Sequence, residues 1–381
     1  MKVVIVGAGI AGLAAAVRLH RAGWEVIVLE HAPRLRDGGY VVNFSGLGYE
    51  AADRMGILPA LQEHRVVYDW ITHMNASGRC ARISARAQDA LGGNQSYNLM
   101  RGDIERTLFD ALDGGVDIRY GCTVSHIDQL GGGVRAWLSD GTVERADLLI
   151  GADGLHSAVR RLVCGPEERY RHDLNHLVAV FAFDTAPAGL APRTSTSLNV
   201  DGRQVAVANV PGRGALALFS HRTTRQGAEL SAGARATLSR VYGDLGWVVP
   251  ELLARMPDDG SGYFDGVSQI RMDRWSRGRV VLLGDAAWCV TLFAGAGTSL
   301  AVGGADLLAT CLERADSVED ALRAWEAQLR PQVVSKQKGR RSIHRLLALL
   351  ADPRGEIEVF DGGPVGLGVP ATAEAAAETA C

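Results

Sequence analysis

Three glycine-containing segments carry the residue types and spacings that most clearly indicate chemistry. In chain order they are residues 7–12 (GAGIAG), 151–160 (GADGLHSAVR) and 284–287 (GDAA). Glycine permits tight turns and lets a ligand phosphate approach the backbone closely. The segments therefore indicate nucleotide binding, and the elements around each one decide how strongly.

The first segment has the context that a dinucleotide fingerprint requires. An apolar strand over residues 3–6 precedes it, a helix follows, and Glu30 ends the next strand 18 residues after Gly12. Gly7 permits the tight turn, Gly9 leaves room for a pyrophosphate, and Gly12 lets helix and strand approach. The helix N-terminus offers N–H groups to the phosphates, and Glu30 can accept hydrogen bonds from both ribose hydroxyls. This motif alone does not decide between NAD and FAD.

The other two segments also follow apolar strands, predicted over residues 146–150 and 280–283. Between them, from about 172 to 280, the pattern changes to short alternating strands that favour an antiparallel sheet. Helices are predicted over 102–112, 298–313 and 318–350, and a hairpin is predicted around Asp140-Gly141. The simplest architecture is a discontinuous nucleotide-binding domain with a sheet domain inserted.

The ordered set of motifs resembles the class A flavoprotein monooxygenases, the para-hydroxybenzoate hydroxylase family, over roughly residues 1–345. The resemblance implies an α/β fold, with a Rossmann-like FAD-binding domain of the GR2 type, an inserted mostly antiparallel substrate domain and C-terminal helices. We expect the FAD-binding domain over 1–171 and 281–345, with part of the substrate pocket near 40–100. The substrate domain is expected over 172–280. The remaining residues, 346–381, are expected to hold a helix end and a disordered tail.

The resemblance also assigns residues to the cofactor. Arg36 matches the family arginine after the ribose acid, Arg101 the arginine that contacts FAD, and Asp285 the acid that bonds the ribityl chain. Asp153 is expected to be a strut of the nucleotide site. Arg36 as a surface charge, and the two acids as helix caps, remain alternatives. The predicted cofactor-binding set is Gly7, Gly9, Ile10, Ala11, Gly12, Glu30, His31, Arg36, Arg101, Asp153, Gly284, Asp285, Gly295 and Gly297.

The chain departs from the family pattern after the third motif. The family generally continues with His or Tyr and then a Pro near the flavin ring, whereas this chain has WCVTLF over residues 288–293. Trp288 and Phe293 either line the substrate pocket or serve in packing only. Tyr40 and Asn43 are the other predicted pocket residues.

The resemblance implies that NAD(P)H reduces FAD and that a flavin C4a-hydroperoxide transfers one oxygen atom from O₂ to an aromatic or polyketide-like molecule. No side-chain acid or base is assigned to catalysis, because the cofactor carries the chemistry. No second GxGxxG is present, so NAD(P)H is expected to bind only transiently.

Three rival functions stay open. An NAD-binding dehydrogenase leaves the second and third motifs unexplained. A geranylgeranyl-reductase or halogenase relative shares the fold, but the halogenase WxWxIP motif is missing from this sequence. A cyclase-like enzyme or scaffold that uses FAD without net redox change is the third.

The composition limits the classes of partner that the protein is expected to bind. With 40 basic and 43 acidic residues, the net charge of −3 gives no reason to expect nucleic acid or stable membrane association. The apolar run over residues 3–17 is shorter than the roughly 20 residues of a membrane span, although a signal peptide is an alternative reading. The six Cys form no CxxC pair or zinc spacing. We expect no metal, and a cytoplasmic monomer or homodimer.

Overall fold

The computed structural model describes residues 1–35, 39–84, 96–257, 262–338 and 357–361. The chain divides into two compact units, each with its own hydrophobic core. Of the described residues, the first unit comprises 1–35, 39–65, 96–172 and 268–338, and the second comprises 66–84, 173–257, 262–267 and 357–361.

The described residues form strands and helices as follows. The strands are β1 Lys2–Val6, β2 Glu25–Glu30, β3 Val41–Ser45, β4 Trp70–Asn75, β5 Arg79–Ser84, β6 Ser96–Met100, β7 Asp117–Tyr120, β8 Val124–Leu130, β9 Gly133–Leu138, β10 Val143–Ala146, β11 Leu148–Gly151, β12 Arg171–Phe183, β13 Thr194–Val200, β14 Arg203–Val210, β15 Gly214–Arg222, β16 Tyr263–Ile270, β17 Ser276–Arg277, β18 Val280–Leu282 and β19 Ile357–Asp361. The α-helices are α1 Ile10–Arg21, α2 Leu47–Arg54, α3 Leu58–Glu63, α4 Arg101–Asp110, α5 Ala158–Cys164, α6 Gln226–Ala232, α7 Ala234–Tyr242, α8 Val249–Arg255, α9 Asp285–Trp288, α10 Gly297–Arg314 and α11 Val318–Lys338.

The central sheet of the first unit has the strand order β17-β18-β11-β1-β2-β7. Strand β1 pairs in parallel with both β2 and β11, and β18 pairs in parallel with β11. The residues of β1 and β11 are almost all apolar and buried, as a parallel sheet covered on both faces requires. The Rossmann-like fold predicted from the sequence is confirmed.

Helix α10 packs against α1 and α2 in the first unit, and small residues allow the close approach. A methyl group added to Gly303 would lie 2.7 Å from Leu47 Cβ and 3.0 Å from Leu47 O at the start of α2. Backbone atoms of a helix cannot move away independently, so a larger residue must displace the whole helix.

We therefore expect Gly303→Val to lower the free energy of unfolding by about 2–3 kcal/mol, since overpacking outweighs the gain in helix propensity. Gly227→Val, at a helical glycine with no atom within 4 Å of the added carbon, is the matched control and should be nearly neutral. Urea unfolding of both variants measures the difference. Equal stabilities would show that the α2–α10 contact can relax.

The second unit is built on an eight-stranded sheet in the order β16-β12-β15-β14-β13-β4-β5-β19. Its pairs are mostly antiparallel, with β13 and β4 running parallel. One face of the sheet packs on α7 and α8, through Phe181, Phe219, Leu238, Tyr242 and Leu252. The sheet gives this unit a core separate from that of the first unit.

The structure differs from the sequence-based expectations in several places. The described residues 66–84 fall in the second unit rather than with the predicted FAD-binding segment, because β4 pairs with β13. Three helices, α6 to α8, lie within the segment expected to be sheet. Residues 357–361, for which the sequence predicts no strand, form a strand paired with β5. Helix α11 is described only as far as Lys338, so the predicted helix beyond it lies outside the described residues.

Within the described ranges, none of the helices combines the length and the apolar character that crossing a membrane demands.

Candidate functional site

The three motifs lie at the carboxyl ends of three adjacent parallel strands of the first unit. Segment 7–12 follows β1, and segment 284–287 follows β18. Segment 151–160 begins at Gly151, which is the last residue of β11. Gly151 at the end of β11 pairs in register with Val6 of β1 on one side and with Leu282 of β18 on the other. Because the carboxyl ends of neighbouring parallel strands share one edge of the sheet, sequences far apart in the chain converge there, where open α/β sheets bind ligands.

Glycines at the motif junctions allow the motifs to touch. A Cβ on Gly7, whose φ is +106°, would lie 2.5 Å from Ala152 O of the second motif. A Cβ on Gly12 would lie 1.9 Å from Gly7 O, and one on Gly284 would lie 2.8 Å from Ala11 Cβ. No larger residue fits at these three positions without displacing backbone or a packed methyl group.

Gly9 differs from these three glycines, because the space beside it is open. A Cβ on Gly9 would meet only side-chain atoms, at 3.7 Å and 3.8 Å. Its backbone is extended, with φ −78° and ψ −177°, and it caps the N-terminus of α1. Gly9 is therefore not required by packing within the protein, as expected if its open side is kept for a ligand.

A cavity of about 280 Å³ lies beside Gly9. It brings together six residues of the predicted cofactor set: Gly7, Gly9, Glu30, His31, Arg101 and Asp153. The remaining lining residues were not assigned to the cofactor from the sequence and are Val6, Ala8, Leu29, Arg34, Leu35, Glu105, Thr123, Ala152 and Gly154. Arg36 lies outside the described residues, whereas Arg34 lines the cavity.

Glu30 is fixed by the backbone at the end of β2. One carboxylate oxygen accepts a hydrogen bond from Ala8 N at 2.8 Å, and the other accepts one from Ala32 N at 2.7 Å. A carboxylate has about four lone-pair positions, so each oxygen retains capacity for a further donor. This orientation is compatible with the role at the ribose hydroxyls that the sequence predicts for Glu30, and that role stays a prediction.

Arg101 begins α4 and is held at the cavity by two neighbours. Its backbone N donates to Tyr40 O at 3.0 Å, and its guanidinium Nη2 lies 2.7 Å from Glu105 Oε1 one turn later. Glu105 is only 2% exposed. Sequence reasoning singled out Arg101 but not Glu105, although the i,i+4 spacing was a signal that the two side chains would meet.

The second motif is held together by Asp153 and Arg160. Asp153 accepts hydrogen bonds from Ser157 Oγ at 2.5 Å and from Val159 N at 3.0 Å, so it caps α5 as well as lining the cavity. Arg160 is completely buried; it donates to Ala286 O of the third motif at 2.9 Å and forms an ion pair with Glu167 at 2.8 Å. Through Arg160, the second motif is thus joined directly to the third.

Asp285 begins α9, close to Arg101 and Cys289. The protein around Asp285 displaces part of the surrounding water, which raises the pKa of its carboxyl group, and the positive charge of Arg101 opposes that increase. The side chain itself is still exposed to solvent. Burial, with the nearby Asp285 charge, raises the pKa of the Cys289 thiol well above its usual range. Cys289 therefore stays protonated near neutral pH and is not an activated nucleophile.

We expect Asp285→Ala to weaken FAD retention by roughly 2- to 150-fold, because one or two hydrogen bonds worth about 0.5–1.5 kcal/mol each are lost. Asp273→Ala, which removes another exposed carboxylate but lies outside the three motifs, should leave retention unchanged. The FAD content of each protein after gel filtration measures the effect. Full occupancy of the Asp285→Ala protein would mean that this acid does not hold the cofactor.

The remaining predicted residues are placed as follows. Gly295 has a left-handed conformation with φ +57°, and a Cβ on Gly297 would lie 3.9 Å from Asp285 Oδ1. Asn43 donates to Ser96 Oγ at 2.6 Å on the exposed side of the β3–β6 pair. Their roles toward a ligand stay predictions.

Trp288 lies in the core of the first unit. It is 1% exposed, and its ring centroid lies 4.7 Å from that of Trp275 and 5.8 Å from that of Trp325. These contacts are typical of a packed core residue, so the position of Trp288 does not support its assignment to the substrate pocket. Phe293, by contrast, is 42% exposed, and the bend before it places Thr291 at φ +88°, a conformation that β-branched residues rarely adopt.

The residues present fit an FAD molecule. An open helix N-terminus, a cation beside it and a carboxylate oriented at the end of β2 are the groups that pyrophosphate and ribose need. The third motif, which ends at the same edge of the sheet, adds the Asp285 carboxylate to these groups.

Comparison with known proteins agrees with this fit. Residues 1–195 match the family described as FAD binding domain. A flavin-dependent monooxygenase from Phoma sp. is 32% identical over 377 residues, covering 88% of this chain and 85% of that protein. A flavin-dependent monooxygenase from Legionella longbeachae is 29% identical over 350 residues, covering 89% and 87%. The crystal structure of the tetracycline destructase Tet(55) has a TM-score of 0.78 at 27% identity, covering 88% and 87%.

The chain belongs to the FAD-binding-domain family of class A flavoprotein monooxygenases. It is an FAD-dependent monooxygenase, and the resemblance inferred from its motifs is confirmed.

Proposed function

We propose that the protein consumes NAD(P)H and O₂ and inserts one oxygen atom into an aromatic or polyketide-like small molecule, by the route that the family resemblance implies. The observation that carries the proposal is the convergence of the three motifs at one edge of the parallel sheet. Among relatives, one is named a tetracycline destructase and another, HpxO of Klebsiella pneumoniae, was crystallised with FAD and uric acid. Both names support a ring-bearing substrate for this chain.

In this proposal the protein binds and orients the cofactor and shields the reaction from water. The bound flavin supplies the acceptance of two electrons and the activation of O₂. Gly9 and the α1 N-terminus hold the pyrophosphate, Glu30 orients the ribose, and Asp285 bonds the ribityl chain. No acid or base side chain is assigned a proton transfer, and Cys289, held as a thiol, takes no part.

NAD(P)H is proposed to be a transient reductant. The basis is the lack of a second dinucleotide fingerprint in the sequence. FAD-loaded protein should oxidise NADH or NADPH slowly alone and faster when the true substrate is present. The assay follows absorbance of the nicotinamide against a panel of ring compounds that includes tetracycline and uric acid, with NADH and NADPH in separate arms.

The expected result is one panel class that accelerates NAD(P)H oxidation and consumes O₂ in step. Stoichiometric retention of NAD(P)H through gel filtration would contradict transient binding. Acceleration of NAD(P)H oxidation with release of hydrogen peroxide and no altered ring compound would contradict oxygen insertion.

A further inference from the structure

A buried negative charge lies at the place where the cofactor's negative charge must bind. Glu105 lines the same cavity as Gly9 and Glu30 and is 2% exposed. Its Oε1 lies 3.7 Å from the position that a Cβ on Gly9 would occupy, and Arg101 Nη2 lies 3.8 Å from that position. The carboxylate and the guanidinium thus both border the open side of the α1 N-terminus.

In this arrangement two anions, the Glu105 carboxylate and a bound pyrophosphate, would both pair with one cation, Arg101. The helix N-terminus and Arg101 are suited to a pyrophosphate, which carries two negative charges. The same Arg101 is already held by Glu105 at 2.7 Å. Two like charges within a few ångströms repel strongly where protein displaces water, because the local dielectric constant is low.

We propose that the Glu105 carboxylate competes with the FAD pyrophosphate for Arg101, and so sets a weakened affinity that lets FAD dissociate and rebind. Glu105 thus lowers the affinity for FAD without itself binding the cofactor. The proposal rests on FAD binding at this cavity, not on the oxygenation reaction.

The test is Glu105→Gln, which keeps the shape of the side chain and an acceptor for Arg101 but removes the charge. We expect it to bind FAD about 10- to 100-fold more tightly than the wild type, from the Coulomb energy of like charges at partly buried sites. The slower dissociation should account for most of the change. FAD fluorescence quenching gives the dissociation constant, and stopped-flow dilution gives the dissociation rate.

Asp110→Asn is the matched control, since it removes one negative charge from the exposed end of the same helix. It should leave FAD affinity within about 2-fold of the wild type, because exposed charges are screened. Thermal melting of the FAD-free proteins shows whether both variants are folded.

A double-mutant cycle separates competition from a structural effect. In the wild type, Arg101→Gln removes the cation and leaves a buried Glu105 facing the phosphates, so the loss of affinity should be large. In the Glu105→Gln background the same change should cost at least about 5-fold less, since the uncompensated charge is gone. Additive effects in the cycle would contradict competition.

An unchanged or weaker FAD affinity of folded Glu105→Gln would overturn the proposal and would make Glu105 a structural strut or a ligand of FAD. If the wild type and every variant fail to take up FAD, the cofactor assignment itself fails, and that outcome is distinct from the others.

Discussion

Replacing Gly9 by valine is expected to abolish FAD binding while the protein stays folded. The extended backbone of Gly9 suits a β-branched residue, and an added Cβ meets only the ends of two side chains at 3.7 Å and 3.8 Å. The valine methyl groups would fill the space kept for the pyrophosphate. Losing about two charge-assisted hydrogen bonds should weaken binding roughly 100-fold or more. Titration with FAD, followed by fluorescence quenching, measures it.

Two comparison variants show whether the effect belongs to this position. Gly131→Val, at a glycine with no atom within 4 Å of the added carbon, should bind FAD normally. Gly12→Val should fail to fold, because its Cβ would lie 1.9 Å from Gly7 O. A folded Gly9→Val protein with full FAD content would show that the pyrophosphate binds elsewhere.

Replacing Arg160 by methionine is expected to destabilise the protein by about 3–5 kcal/mol, the usual cost of breaking a buried ion pair. Its guanidinium is fully buried and joins Glu167 to the carbonyl of Ala286. The change also removes the strut between the second and third motifs, so FAD retention should fall as well. Urea unfolding of the FAD-free protein gives the free energy, provided that the slope of the transition is unchanged.

Arg171→Met is the control for this prediction, because Arg171 pairs with the same Glu167 at 3.0 Å but has a side chain that is 36% exposed. Exposed ion pairs contribute about 0–1 kcal/mol, so this variant should unfold close to the wild type. Similar losses from the two substitutions would mean that the burial of Arg160 is not what makes its contacts important.

The first unit could be predicted from sequence largely because its signals are local. An unbroken apolar run such as β1 indicates a buried parallel strand, and each motif directly follows such a run. The adjacency of β1, β11 and β18 could not be read from periodicity, since strand order depends on long-range pairing. The family resemblance supplied the expectation that the motifs meet.

The second unit was harder to predict, because its elements depend on tertiary contacts. Helices such as α7 gain their stability by burying Leu238 and Tyr242 against the sheet, and short helices have weak intrinsic preference. The parallel pairing of β4 with β13 joins residues more than 120 positions apart, which no local pattern encodes.

Two further features of the site could not be settled from the sequence, for physical reasons. Arg160 could be assigned to a motif but not to a buried contact between motifs, because a buried arginine with backbone acceptors looks like any other arginine in sequence. Trp288 was open to two interpretations because an aromatic residue beside a motif fits a pocket as well as a core. Its contacts with Trp275 and Trp325 come from α11 and the loop before β17, whose positions the sequence did not give.

The most direct test of monooxygenase activity is the fate of oxygen. FAD-loaded protein is incubated under ¹⁸O₂ with NAD(P)H and the ring compound that accelerates NAD(P)H oxidation, and the product is analysed by mass spectrometry. We predict one ¹⁸O atom per product molecule and no product when O₂ or NAD(P)H is omitted. Product that forms at full rate without O₂ or reductant, and without label, would contradict the account and favour a use of FAD without net redox change.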